Sequence, residues 1–146
     1  MCKFSTLFFV FINLMIITNN ASASWAIISD EDLIVQSDLI ATGTLVDEKT
    51  ITREDGKGQF LVGVIKLHNI LKGDAQKKQA LVVLRHVGAP QISTQPDYKI
   101  GQNGLWYLIT HWADKSLFLA DDPQRFVSIE KSEVLIQSIK LKLKAK

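Results

Sequence analysis

The chain has 146 residues, 47% of them hydrophobic and 22% charged, with a formal net charge of +2 and one cysteine. That length fits one domain of ordinary size. The near-neutral balance argues against a nucleic-acid domain, which carries a strong basic excess, and a lone cysteine excludes an internal disulfide.

Residues 1–23 read as an export signal. Lys3 supplies the positive start, residues 7–18 (LFFVFINLMIIT) form an apolar run broken only by Asn13, and Ala21-Ser22-Ala23 is a small-x-small cleavage pattern. The run falls short of the ~20 apolar residues of a bilayer span. Cleavage after Ala23 is expected to leave Ser24 first. It removes Cys2 and the charge of Lys3, taking the mature chain, residues 24–146, from +2 to +1. The expected product is secreted or periplasmic, thiol-free, without stable membrane insertion and without a nucleic-acid partner.

Ser29-Asp30-Glu31-Asp32 is a helix start. Ser29 can cap a free amide, Asp32 stands where a capping box places an acid, and early acids suit the helix dipole. The spacing predicts a short helix over residues 30–37 with Leu33 and Ile34 inward. Residues 39–50 (LIATGTLVDEKT) predict a strand, and Gly43 within it marks a bulge or bend. Glu54-Asp55-Gly56-Lys57-Gly58 is a turn. Residues 59–71 (QFLVGVIKLHNIL) predict a long strand whose apolar residues occupy both parities, which calls for a bulge or change of face. Residues 79–87 predict a third strand, and residues 88–101, with Pro90 and Pro96, a loop long enough to carry function. Residues 102–112 (QNGLWYLITHW) predict a fourth strand, 116–120 a fifth and 125–129 a short sixth. At the C-terminus, Ser132 can cap a helix over residues 133–143 whose inner stripe is Leu135, Ile136, Ile139 and Leu143. The same stretch alternates as Ile139, Leu141, Leu143, so a strand stays open there. Five or six short strands between two helices predict a mainly β fold, a small barrel or sandwich.

The order of these signals resembles a known group. Residues 37–46 (SDLIATGTLV), Ile70-Leu71-Lys72-Gly73 and residues 101–109 (GQNGLWYLI) are similar to the opening strand, the strand-closing lysine-glycine and the glycine-to-"tyrosine-leucine-isoleucine" strand of netrin-like modules. That group includes the tissue inhibitors of metalloproteinases, and uncharacterised bacterial exported proteins carry the same run. The resemblance implies an OB-like barrel of five or six strands with flanking helices. It also implies that the N-terminal segment 24–28 and loop 88–101 lie near one barrel end. The inhibitors place an N-terminal cysteine on the target's zinc, whereas this chain offers Ser24-Trp25 and has none of their disulfides.

Candidate chemistry is sparse. The mature chain has no cysteine and no G-x-S-x-G turn, so nothing signals a catalytic nucleophile. His68, His86 and His111 fall on three predicted strands. A hairpin pairing centred near Lys77 would set His68 opposite His86, with His111 or an acid as third metal ligand, but no H-x-H or H-E-x-x-H spacing supports it. Asp121-Asp122-Pro123 reads as a turn rather than a calcium site, which needs about six or more oxygens, and the glycine-rich 56–58 and 101–104, which lack the P-loop pattern, also read as turns. The lysine-rich tail reads as a solvated face. Aromatic residues concentrate late in the chain. Strict alternation would set Trp106 and Trp112 on one face of strand four and Tyr107, Ile109 and His111 on the other. An outward aromatic face could stack on sugars or grip a peptide.

The sequence is therefore read as a non-enzymatic binding module without a cofactor. Its expected partner is a protein or envelope polysaccharide outside the cytoplasm; its expected contact regions are loop 88–101 and segment 24–28, and its expected contact residues Ser24, Trp25, Trp106 and Trp112. The rival readings are an inhibitor-like protein lacking the N-terminal cysteine, and a metal-dependent hydrolase using the three histidines.

Overall fold

The computed structural model describes residues 26–53, 56–90 and 95–145. The expected export signal and cleavage site, and Ser24 and Trp25, lie outside the described residues. Helix α1 (Asp30–Gln36) starts as its sequence predicts: Ser29 Oγ accepts from the Asp32 amide at 3.1 Å and donates to Asp32 Oδ2 at 2.7 Å. Lys72 Nζ reaches its other end, donating to the Ile34 carbonyl at 2.7 Å, where a cation complements the helix dipole.

Six strands follow among the described residues: β1 (Leu39–Thr52), β2 (Gln59–Lys72), β3 (Gln79–His86), β4 (Asn103–Thr110), β5 (Leu117–Leu119) and β6 (Phe126–Ser128). Helix α2 (Ile129–Lys144) closes the fold. The sheet order is β1-β2-β3-β5-β4-β6, and β1 also pairs with β4, so five strands form a closed ring with β6 attached outside it. All pairings are antiparallel except β3–β5. Closure leaves few free edges for intermolecular pairing.

Glycine permits the closure. Gly43 of β1 pairs with Gly104 of β4. A Cβ on Gly43 would stand 2.8 Å from the Lys66 carbonyl oxygen and 2.7 Å from Ile65 Cγ2. The β1–β2 register shifts between Thr42 and Gly43, a bulge at the predicted glycine.

Two cores result. Leu39, Ala41, Ile65, Val82, Trp106 and Leu108 fill the ring. The alternate residues Ile40, Leu105 and Tyr107 point outward and are covered by Leu33 and Ile34 of α1 and Ile139 of α2. Strand β4 is thus buried on both faces, which is why its sequence is a continuous apolar run. The C-terminal ambiguity resolves as helix, with Leu135, Ile136 and Leu143 packed beside Ile139. Its start differs from expectation. The helix begins four residues before Glu133, with Ser128 at the N-cap and Ser132 buried inside it, its hydroxyl donating to the Ile129 carbonyl at 2.9 Å.

The β2–β3 pairing also departs from the register centred near Lys77. Phe60 pairs with His86 and Lys66 with Gln79, so residues 67–72 of β2 run on beyond the β3 ladder against β1. His68 and His86 therefore stand at opposite ends of β2 rather than opposite one another.

Candidate functional site

Strand β4 leaves its ladder with β1 at Thr110, while one further bond continues its register with β5. The Thr110 N–H donates to Asp38 Oδ2 at 2.7 Å, and the His111 N–H to the Leu117 carbonyl at 2.8 Å. The Thr110 amide holds the Asp38 carboxyl below the usual carboxylate range. Two side chains then knit the turn between β4 and β5. Asp114 Oδ1 accepts from the Ser116 amide at 2.9 Å and the Ser116 hydroxyl at 2.6 Å. His111 Nδ1 accepts from the amides of Ala113 at 3.2 Å and Asp114 at 3.1 Å.

Trp112 is the product of this turn. It lies beyond the strand, so alternation no longer governs it, and it is 74% exposed. Its ring stacks on His111, with centroids 5.4 Å apart and planes 23° from parallel. The buried His111 meets the edge of Phe60 at 5.4 Å, and Phe60 in turn meets His86 at 4.6 Å. A row of four rings thus runs from the end of β3 to the open indole.

Trp106 has the opposite fate. It is fully buried inside the ring, its Nε1 donating to the Gly43 carbonyl at 3.0 Å, and it packs against Tyr98 and Phe126. It shares no surface with Trp112. The shared-face expectation fails because the strand ends between the two residues.

Beside Trp112 opens a cleft of about 240 Å³, whose lining mixes His86, Gln95, Tyr98, His111 and Asp121 with the apolar Val83, Leu84, Pro96, Leu119 and Ala120. Residues 95–98, the described end of the long loop, form one wall. They are pinned by Gln95 Nε2 donating to the Leu84 carbonyl and by the Tyr98 hydroxyl donating to the Ala120 carbonyl at 2.9 Å. Burial pushes the Tyr98 phenol well above its usual range, so it stays a neutral donor. The same segment also lines a second cleft of about 260 Å³, bordered by Glu48, Arg85 and Asp97.

The electrostatics of His111 follow from its partners. Burial holds its pKa below the usual value, opposed by the Asp114 carboxylate and reinforced by His86, Arg53 and Lys115. A Nδ1 that accepts two amides carries no proton, so the neutral ring carries it on Nε2. In that tautomer Nε2 is a hydrogen-bond donor, not a free metal ligand. His68 lies elsewhere, its Nε2 2.9 Å from Thr44 Oγ1. Among the described residues no three His, Cys, Asp or Glu side chains gather as a metal-ligand set. The Ser116 hydroxyl donates to Asp114 rather than to an imidazole, which is not the proton route of a serine nucleophile.

The N-terminal segment is described from Ala26. The Gln124 side-chain amide clamps it, donating to the Ala26 carbonyl at 2.9 Å and accepting from the Ile28 amide at 3.0 Å. No helix among the described residues is long and apolar enough to cross a membrane. Gln95 and Tyr98 belong to the long loop expected as a contact region, and Asp121 to the turn Asp121-Asp122-Pro123; nothing local in the sequence sets these three apart within those segments.

The described residues thus form a closed β-ring with two helices outside it and an indole standing open at a polar cleft. No protein-family model matches the chain. No curated protein matches it either.

Proposed function

We propose that this is an exported, non-enzymatic binding module of OB-like, netrin-like architecture, which meets a protein or polysaccharide partner outside the cytoplasm through the Trp112 cleft. The exposed indole carries this reading. Trp112 is 74% exposed, yet backed by His111 and held by a turn whose amides are bonded to side chains. A large apolar ring kept open and rigid loses little entropy on being covered, which is the economy of an interface anchor. The ring order β1-β2-β3-β5-β4, with β3 and β5 parallel, supports the OB-like assignment. Trp106 leaves the set of proposed contacts, and Trp112 is joined by His86, Gln95 and Asp121. The N-terminal pair Ser24-Trp25 stays in the proposal on its sequence alone.

The test is a binding isotherm of the exported protein on intact cell-envelope preparations. Saturable binding that Trp112→Ala weakens by about tenfold or more is expected, since an anchor ring contributes about 1.4 kcal/mol or more. Equal binding by the variant refutes the assignment of the site. Intact-mass measurement of the exported product reads the cleavage, with Ser24 as the expected first residue.

A further inference from the structure

We propose that the cleft beside Trp112 takes a neutral saccharide, one sugar ring lying on the open indole face and its hydroxyls bonding to the polar side chains of the cleft. This rests on the reading of that cleft as the contact surface and names the chemistry of what it contacts.

Four observations converge. The first is shape. The Trp112 ring is flat, solvent-facing and backed by the nearly parallel His111 ring. It offers one apolar plane, which suits a pyranose face whose C–H groups lie on one side.

The second is the lining. It is mixed: His86, Gln95, His111 and Asp121 share it with the indole and with the apolar Val83, Leu84, Leu119 and Ala120, which suits a sugar, with its C–H faces and its hydroxyls, better than an acyl chain. Asp121 only accepts, while His111, with Nδ1 committed to the turn, presents an N–H on Nε2. A sugar hydroxyl both donates and accepts, so a ring bearing several of them can satisfy such a mixed set.

The third is charge. No lysine or arginine is among the described residues that line this cleft, and one carboxylate is. Arg125, whose Nε lies 3.8 Å from Asp121 Oδ1, is buried and outside the lining, so a sulfated, phosphorylated or uronic polymer would meet Asp121 without an exposed cation in the cleft. The fourth is size and wall. A cleft of about 240 Å³ is smaller than the ~300 Å³ at which sites for drug-sized molecules begin. It suits one or two sugar rings, with the rest of a chain running over the surface. A second cleft shares Leu84, Gln95, Pro96 and Tyr98 with this one. A peptide strand laid along the same wall would meet Pro96, which has no amide hydrogen to offer.

The experiment is calorimetric titration of the exported protein with three neutral oligosaccharides, cellohexaose, chitohexaose and mannohexaose, with heparin as the anionic control. At least one neutral hexasaccharide is expected to bind saturably. Trp112→Ala should weaken it by about tenfold or more, and Trp112→Phe, which keeps an aromatic plane, by less. Asp121→Asn should leave heparin binding at this cleft no better than that of the neutral chains. Melting curves matching the parent establish that the variants fold, and Trp112→Phe carries the test should Trp112→Ala not. Three oligosaccharides without saturable heat overturn the proposal, as does an affinity indifferent to both Trp112 variants. Tighter, Trp112-dependent heparin binding also overturns it. If Trp112→Ala abolishes binding to an envelope protein while no oligosaccharide binds, the saccharide falls and the binding-module reading stands. If the variant changes neither, both fall.

Discussion

The turn that presents Trp112 depends on His111 being unprotonated at Nδ1, and that gives a prediction with a definite sign. The native pKa of His111 lies below the value of ~6.5 expected in the unfolded chain. Between the two, the unfolded state binds more protons, so stability rises with pH across this window. The contribution is complete above pH ~6.5 and is lost as pH falls toward the lowered native pKa. Structurally, a proton on Nδ1 would face the two amide hydrogens of Ala113 and Asp114 that it now accepts. Two variants separate acceptor from ring. His111→Phe keeps the contacts with Phe60 and Trp112 but leaves both part-buried amides without their acceptor. At the lower end of ~1–3 kcal/mol per orphaned donor, the loss should be about 2 kcal/mol near neutral pH. His111→Asn places an oxygen near the Nδ1 position and should retain the turn, losing about 1 kcal/mol of ring packing. Urea denaturation near pH 7.5 and near pH 5.5 measures both effects. The parent should lose stability over that interval, and both variants should lose distinctly less. The carboxylates Asp38 and Asp114, held below their usual range, add their own losses only as pH falls through and below the usual carboxylate range, outside this window. A parent equally stable at both pH values, or a phenylalanine variant as stable as the parent near pH 7.5, would refute the reasoning.

Other substitutions test the frame around the site. Gly104→Ala would put a Cβ 2.6 Å from Phe126 Cε2 and closer still to the Val127 carbonyl oxygen. Overpacking of this kind costs about 1–3 kcal/mol, and because part of the obstacle is backbone the loss should be near 3. A urea midpoint within error of the parent would count against the closure argument. Arg125 is buried, with Nη2 donating to Gln36 Oε1 at 3.1 Å, but Nε is 3.8 Å from Asp121 Oδ1, and neither Nε nor Nη1 has a hydrogen-bond partner among the described residues. Arg125→Met should therefore leave stability unchanged or raise it by about 1 kcal/mol, and a thermal melt showing a clear loss would contradict that. Ser29→Ala removes the cap of α1 and should cost about 1 kcal/mol, measured by the same denaturation. An unchanged midpoint would mean that α1 is held by its packing alone.

Local patterns were enough for the elements. Ser29 and Asp32 announce α1, Gly43 announces the bulge of β1, and Leu135, Ile136, Ile139 and Leu143 mark the inner stripe of α2. Each of these depends on residues within a few positions of one another, and a periodic pattern records them. The start of α2 escaped that logic because Ser132, a good cap by type, is buried in the helix with its hydroxyl bonded back to Ile129.

What the amino-acid order alone determined, then, was a set of strands and helices with their apolar stripes. Tertiary structure decided which aromatic residue meets solvent. Trp106 and Trp112 fall in one predicted strand. The strand ends between them because the Thr110 amide, which would extend the ladder with β1, is taken by the Asp38 carboxylate, 72 positions earlier in the chain, and the β5 register runs only one bond further, from the His111 N–H to the Leu117 carbonyl. The separation of His68 from His86 has the same origin. The β2–β3 register is set while β2 also pairs with β1 along residues 67–72. Contacts between distant segments carry no local periodicity, so only the closed ring shows that Trp106 is its core and Trp112 its open edge.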